Sequence, residues 1–138
     1  MIHREIEIGR WTVDFLLADE AYDEEQGIAY LARADAPDWV LERAGRIMAN
    51  ASLNTGFTYT NPEMFRAVVV IGPTSSGSEF VNTLVHETYH LAAAIANNLG
   101  YDLSGEYAAY LTGDTVQEFA GLICHLGCDS CNDGEPLR

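Results

Sequence analysis

Basic side chains are scarce in this sequence: 7 Lys and Arg together face 21 Asp and Glu, for a formal net charge of −14. That balance excludes the general attraction to phosphate backbones on which nucleic-acid binding depends. It leaves room for a cationic peptide, a metal ion or a basic protein as partner, and equally for acidity that merely keeps the chain dissolved. Long apolar runs are missing too. No stretch approaches the roughly 20 consecutive apolar residues that cross a bilayer. The opening Met1-Ile2-His3-Arg4-Glu5-Ile6-Glu7 lacks the apolar core of a secretion signal. The expectation is a cytoplasmic protein with no membrane partner.

Cysteine is sparse and confined to one end, as Cys124, Cys128 and Cys131. An odd, terminal cluster is not a disulfide framework, so reduced thiols are expected. With His125 the three thiols could form a separate zinc element, and their spacing also occurs around iron–sulfur clusters. The plainer expectation is a helix end followed by a loose tail over 127–138. Internal repeats and low-complexity linkers are also lacking. With 48% hydrophobic residues, the chain therefore reads as one domain over 1–138, able to bury roughly 68% of its unfolded surface.

What is present alternates first. Glu5–Ile8 and Trp11–Leu17, parted by Gly9-Arg10, suggest two strands or one bent strand. A short helix is expected over Glu24–Ala32. Pro37 fits the first turn of another reaching Ala49, with Trp39, Val40, Ala44, Ile47 and Met48 as its apolar stripe. Phe57–Thr60 alternates as a strand, and Arg66–Ile71 is the strongest strand, rich in β-branched residues. Two helices follow. One runs from about Ser78 to Asn98, with Ser76 and Glu79 in capping-box spacing and Gly100 beyond its end. The other runs from about Gly105 to Leu126, with Ser104 as its N-cap. The fold class is α+β: a small, mainly antiparallel sheet packed against helices.

The chemistry concentrates in His86-Glu87-Thr88-Tyr89-His90, an H-E-x-x-H segment inside the longest predicted helix. Successive helical residues turn by about 100°, so positions four apart share a face and both imidazoles can meet one ion. Zinc suits two neutral nitrogen donors. Glu87, turned about a quarter circle away, can accept a proton from water at such an ion without being a ligand. The competing reading is two histidines hydrogen-bonded on a helix surface. Val81, Leu84, Val85, Leu91, Ala92 and Ile95 argue against it by placing the helix in the core. His86 and His90 are then expected to be at least partly buried and in need of partners.

An open zinc site wants a third protein ligand, and Asp102, Glu106, Asp114, Glu118 and His125 lie downstream. Glu106 is preferred on packing grounds. It shares a helical stripe with Ala109, Tyr110, Gly113 and Gln117, while the histidine stripe continues through Ala93 and Asn97. Small residues on both stripes would let the helices approach closely and bring Glu106 over the imidazoles. Its alternative role is to complement the helix dipole from the first turn, worth about 0.3–1 kcal/mol. Asp102 is the second choice and His125 the third.

His86-Glu87-Thr88-Tyr89-His90 followed by Glu106-Tyr107-Ala108-Ala109-Tyr110 resembles the zincin metallopeptidases, within them the glutamate-liganded gluzincins. More narrowly it resembles small H-E-x-x-H proteins of prophages and mobile elements. In those a glutamate precedes Ala or Cys, Tyr, Leu, a variable residue and Gly, as Glu106, Ala109, Tyr110, Leu111 and Gly113 do here. The resemblance covers roughly residues 66 to 120. It implies a zincin-like fold, zinc held by His86, His90 and Glu106, and Glu87 as general base. It also implies a peptide or protein substrate pairing with the strand Val68–Ile71, which agrees with strand-addition physics. No third histidine follows His90 at the distance the three-histidine zincins require, and the resemblance assigns no oxyanion-stabilising residue, leaving Tyr89, Tyr107 and Tyr110 all conceivable in that role. The expected activity is zinc-dependent peptide hydrolysis. The alternative is a non-catalytic zinc-binding adaptor or assembly protein of phage or mobile-element origin.

Overall fold

The structure is a computed structural model and describes residues 1–127. The chain divides into two compact units, Met1–Pro73 and a second that begins at Thr74. The first holds all the strands: β1 (Ile2–Ile8), β2 (Trp11–Leu17), β3 (Gly56–Asn61) and β4 (Arg66–Ile71), with helices α1 (Glu24–Arg33) and α2 (Asp38–Asn50) between β2 and β3. The second holds α3 (Gly77–Asn98), α4 (Glu106–Gln117), α5 (Ala120–Leu122) and a π-helical turn at Ile123–Gly127. The class is α+β.

The sheet order is β1-β2-β4-β3. β1 and β2 form an antiparallel hairpin around Gly9, whose φ of +57° is the left-handed value that glycine tolerates. β3 pairs antiparallel with β4, and β2 pairs parallel with β4. The sheet is therefore mixed, with the α1–α2–β3 segment as the long crossover that a parallel pair requires. The strongest predicted strand, β4, is an interior strand paired on both sides. Its backbone has no free edge for an extended peptide, which corrects the expectation that Val68–Ile71 would take one. β3 is the edge strand on that side.

On one face of the sheet Leu16, Val68 and Val70 meet Leu31 and Ala34 of the α1 segment and Ala44 and Met48 of α2. Successive strand residues point to opposite faces, yet β2 and β4 are buried at nearly every position. The apolar runs Phe15-Leu16-Leu17 and Ala67–Ile71 carry no polar alternation for that reason. Asp14 is the exception. It is 3% exposed, and its carboxylate accepts from His3 Nε2 at 2.8 Å and faces Arg66 at 3.7 Å. A lone acid inside Trp11-Thr12-Val13-Asp14-Phe15 was the sequence signal for such partners.

Helix boundaries follow the capping chemistry. Asp23 accepts from the Gln26 N–H at the start of α1, and Ser76 Oγ accepts from the Glu79 N–H at 3.2 Å at the start of α3. Pro37 occupies the N-cap of α2 and makes no side-chain cap bond. In the α2 stripe Ala44 and Met48 are buried, whereas Trp39 is 64% exposed, against expectation. The last predicted helix is shorter than expected and interrupted. Gly105, not Ser104, is its N-cap, and α4 ends at Gln117 before α5 and the π turn.

Candidate metal centre

All 22 residues of α3 form one uninterrupted helix. Leu84, Leu91, Ala92 and Ile95 are buried as expected, and Glu87 and Thr88 join them on the inner side. Within the second unit α3 packs against α4 and the π turn. His86 and His90 lie on the opposite side of the helix, and both are exposed, with 65% of the His86 side chain open to solvent. This corrects the expectation of burial. The apolar stripe is centred near Leu84, Leu91 and Ile95, roughly half a turn from the histidines at about 100° per residue. Val85, expected in the core, is 40% exposed for the same reason, and Val81 is half-buried.

The two imidazoles do converge. His86 Nε2 and His90 Nε2 are 3.1 Å apart, with ring centroids at 4.8 Å and planes at 77°. Two nitrogens bound to one tetrahedral zinc at about 2.0–2.1 Å are separated by roughly 3.3–3.4 Å. The observed spacing is thus within about 0.3 Å of the ligating one. Without an ion, the contact needs one ring to carry Nε2–H and the other a lone pair. Glu87 Oε2 lies 3.8 Å from His86 Nε2, and the residue is 6% exposed. The donor chemistry and spacing of the pair fit zinc, with a carboxylate placed beside the pair.

The third donor is not gathered with them. Among the described residues no three His, Cys, Asp or Glu side chains form a group able to hold a metal ion. Glu106 stands exposed in the first turn of α4. The buried residues of α4 are Ala108 and Thr115. The stripe of Ala109, Tyr110 and Gly113 is exposed, and a Cβ placed on Gly113 meets nothing within 4 Å. Close approach along that stripe, the packing argument for Glu106, is therefore not found. Seven residues separate Ala108 from Thr115, two helical turns, and that spacing puts Glu106 roughly on the far side.

Asp102 has its own local task. Its carboxylate accepts the Ser104 N–H at 2.9 Å, and hydrogen bonds from the Ser104 backbone and hydroxyl hold its pKa below the usual carboxylate value. Asp114, Glu118 and His125 are exposed. Cys124 is an exposed free thiol, while Cys128, Cys131 and most of the expected 127–138 tail lie outside the described residues.

Tyr89 and Tyr107, two of the tyrosines left open for oxyanion stabilisation, each stand beside another ring. Tyr89 is 46% exposed with its ring 6.5 Å from that of His90, and Tyr101 and Tyr107 pair at 4.7 Å. Tyr89 comes three residues after His86 and hence lies on a neighbouring part of the same face. No helix among the described residues is long and apolar enough to cross a membrane. Comparison with family models, curated proteins and solved structures finds no match to this chain.

Proposed function

We propose that this protein is a zinc-dependent peptidase in which His86 and His90 offer their Nε2 lone pairs to the ion and Glu87 is the general base. The convergence of the two Nε2 atoms to 3.1 Å carries this reading. A bound zinc would supply Lewis acidity, lowering the pKa of water from about 15.7 to about 7 and polarising a carbonyl. Glu87 would take the proton of the attacking water and return it to the departing amine nitrogen as the C–N bond breaks. Its carboxylate lies 3.8 Å from His86 Nε2, which supports the role of a base beside the ion. Glu106 is the proposed third ligand. That assignment is supported by the spacing from His90 and by the resemblance to gluzincins, and it requires α4 to present the face that carries Glu106. The substrate is a peptide or protein, favoured when cationic by the −14 net charge, in a cytoplasmic setting.

The test compares wild type with Glu87→Gln on a peptide library, with metal content measured in both. Equal metal and a loss of cleavage by about 10²–10⁴-fold are expected. Equal cleavage, or none in the wild type with zinc bound, contradicts the hydrolytic role.

One observation favours a second reading. The imidazoles are exposed, and no third donor is gathered with them among the described residues. A non-catalytic zinc-binding adaptor would leave Glu87→Gln silent, whereas chelation would loosen the chain and abolish partner binding.

A further inference from the structure

Past its first turn, the exposed side of α3 carries no Asp, Glu, Lys or Arg. Between Phe80 and Asn98 the one such residue is Glu87, and Glu87 is buried. Asn82, Val85, His86, Tyr89, His90 and Asn97 stand open to solvent, and at about 100° per residue they share one face. In a chain of net charge −14, like-charge repulsion opposes the meeting of two copies. A face without charge reduces that repulsion, and exposed Val85 and Tyr89 offer it apolar contact.

The imidazole pair lies in the middle of this face and is half of a closed metal site. Zinc in such a site takes four protein donors in a tetrahedral set. His86 and His90 offer two, with their Nε2 atoms 3.1 Å apart. Among the described residues no third donor is gathered with them. A two-fold axis through the face doubles two donors to four, because an isologous contact sets a patch against its own copy.

We infer that this face of α3 joins two copies of the chain, with one zinc ion shared between His86 and His90 of one copy and the same two residues of the other. Val85 and Tyr89 add apolar contact between the copies. The inference rests on metal binding by the imidazole pair, as the proposed function does, and adds the second copy. Four imidazoles leave no position for water. Hydrolysis therefore belongs to the single copy, and the joined form is closed to substrate.

The experiment follows sedimentation of the whole protein, first freed of metal by a chelator, as zinc is added. A dimer should grow to a maximum at one ion per two chains, then give way to monomers with an ion each as zinc is raised further. His86→Ala and His90→Ala should each stay monomeric. Ala93→Arg sets a charge on the same face without removing a donor. It should weaken the dimer at least about tenfold while the single copy still takes up zinc. Replacing Cys124, Cys128 and Cys131 by serine should leave the dimer intact. A dimer that forms without zinc, carries one ion per chain, persists undiminished in the histidine or Ala93→Arg variants, or is lost in the serine variant overturns the inference. A wild type that binds zinc yet stays monomeric at every ratio overturns it too and leaves the peptidase reading standing. Absence of zinc uptake overturns both.

Discussion

The Nε2 atoms of His86 and His90 stand 3.1 Å apart on the exposed side of a helix whose opposite side buries Leu84, Leu91 and Ile95. One turn of helix separates the residues, and the apolar side fixes which way that turn faces. The buried stripe thus orients the imidazole pair, although it does not cover it. Glu87 lies on the buried side at the margin next to His86, and so combines burial with proximity to that imidazole.

Ser76 fixes where that helix begins, because its hydroxyl accepts the Glu79 N–H. Ser76→Ala should lower stability by about 1 kcal/mol, and Ser76→Asp should restore most of it. Thermal unfolding checks both, with a fall of a few degrees for the alanine variant. Since the cap lies well before His86 in the helix, zinc binding by folded Ser76→Ala should equal that of wild type.

Asp14 is buried in β2 and held by His3 and Arg66. His3→Ala leaves the carboxylate with only the longer Arg66 contact, so a loss of about 1–3 kcal/mol is expected. A double-mutant cycle with Asp14→Asn should show a coupling of about 0.5–3 kcal/mol. Strict additivity in denaturant unfolding would show that the hydrogen bond contributes nothing.

Tyr59 should ionise above the ordinary tyrosine value. Burial raises its pKa above 10.0, and the negative charges of Asp35 and Glu63 raise it further. The unfolded chain then loses this proton first. The contribution to stability is complete below about pH 10 and is lost as pH rises through the folded value. A tyrosinate absorbance titration should lose a component raised above the ordinary tyrosine value in Tyr59→Phe, and Asp35→Asn should move that component down.

The strands and the start of the long helix were legible because each rests on local chemistry: β-branched Val68-Val69-Val70-Ile71, Gly9 at a left-handed turn, Ser76 at a cap. The parallel pairing of β2 with β4 was not, since no local pattern distinguishes a parallel from an antiparallel neighbour for a strand buried on both faces. The H-E-x-x-H pair was legible as spacing, whereas its exposure was misjudged. Val81 and Val85 made the apolar stripe look wide enough to include the histidines, while the buried apolar side chains of the helix are Phe80, Leu84, Leu91, Ala92, Ile95 and Ala96. The face of α4 was misread through its small residues. Ala108 and Thr115 are buried, and Ala109 and Gly113 are not. Small residues permit close helix approach but do not compel it.

The zinc content of the purified protein, together with calorimetric titration of the metal-free form, tests the central claim most directly. One zinc per chain in the wild type is expected, retained in Glu87→Gln and lost in both His86→Ala and His90→Ala. Weaker binding at low pH is expected as well, because the imidazoles must be neutral to ligate. A wild type that takes up no zinc, or the same uptake after either histidine is removed, would contradict the account.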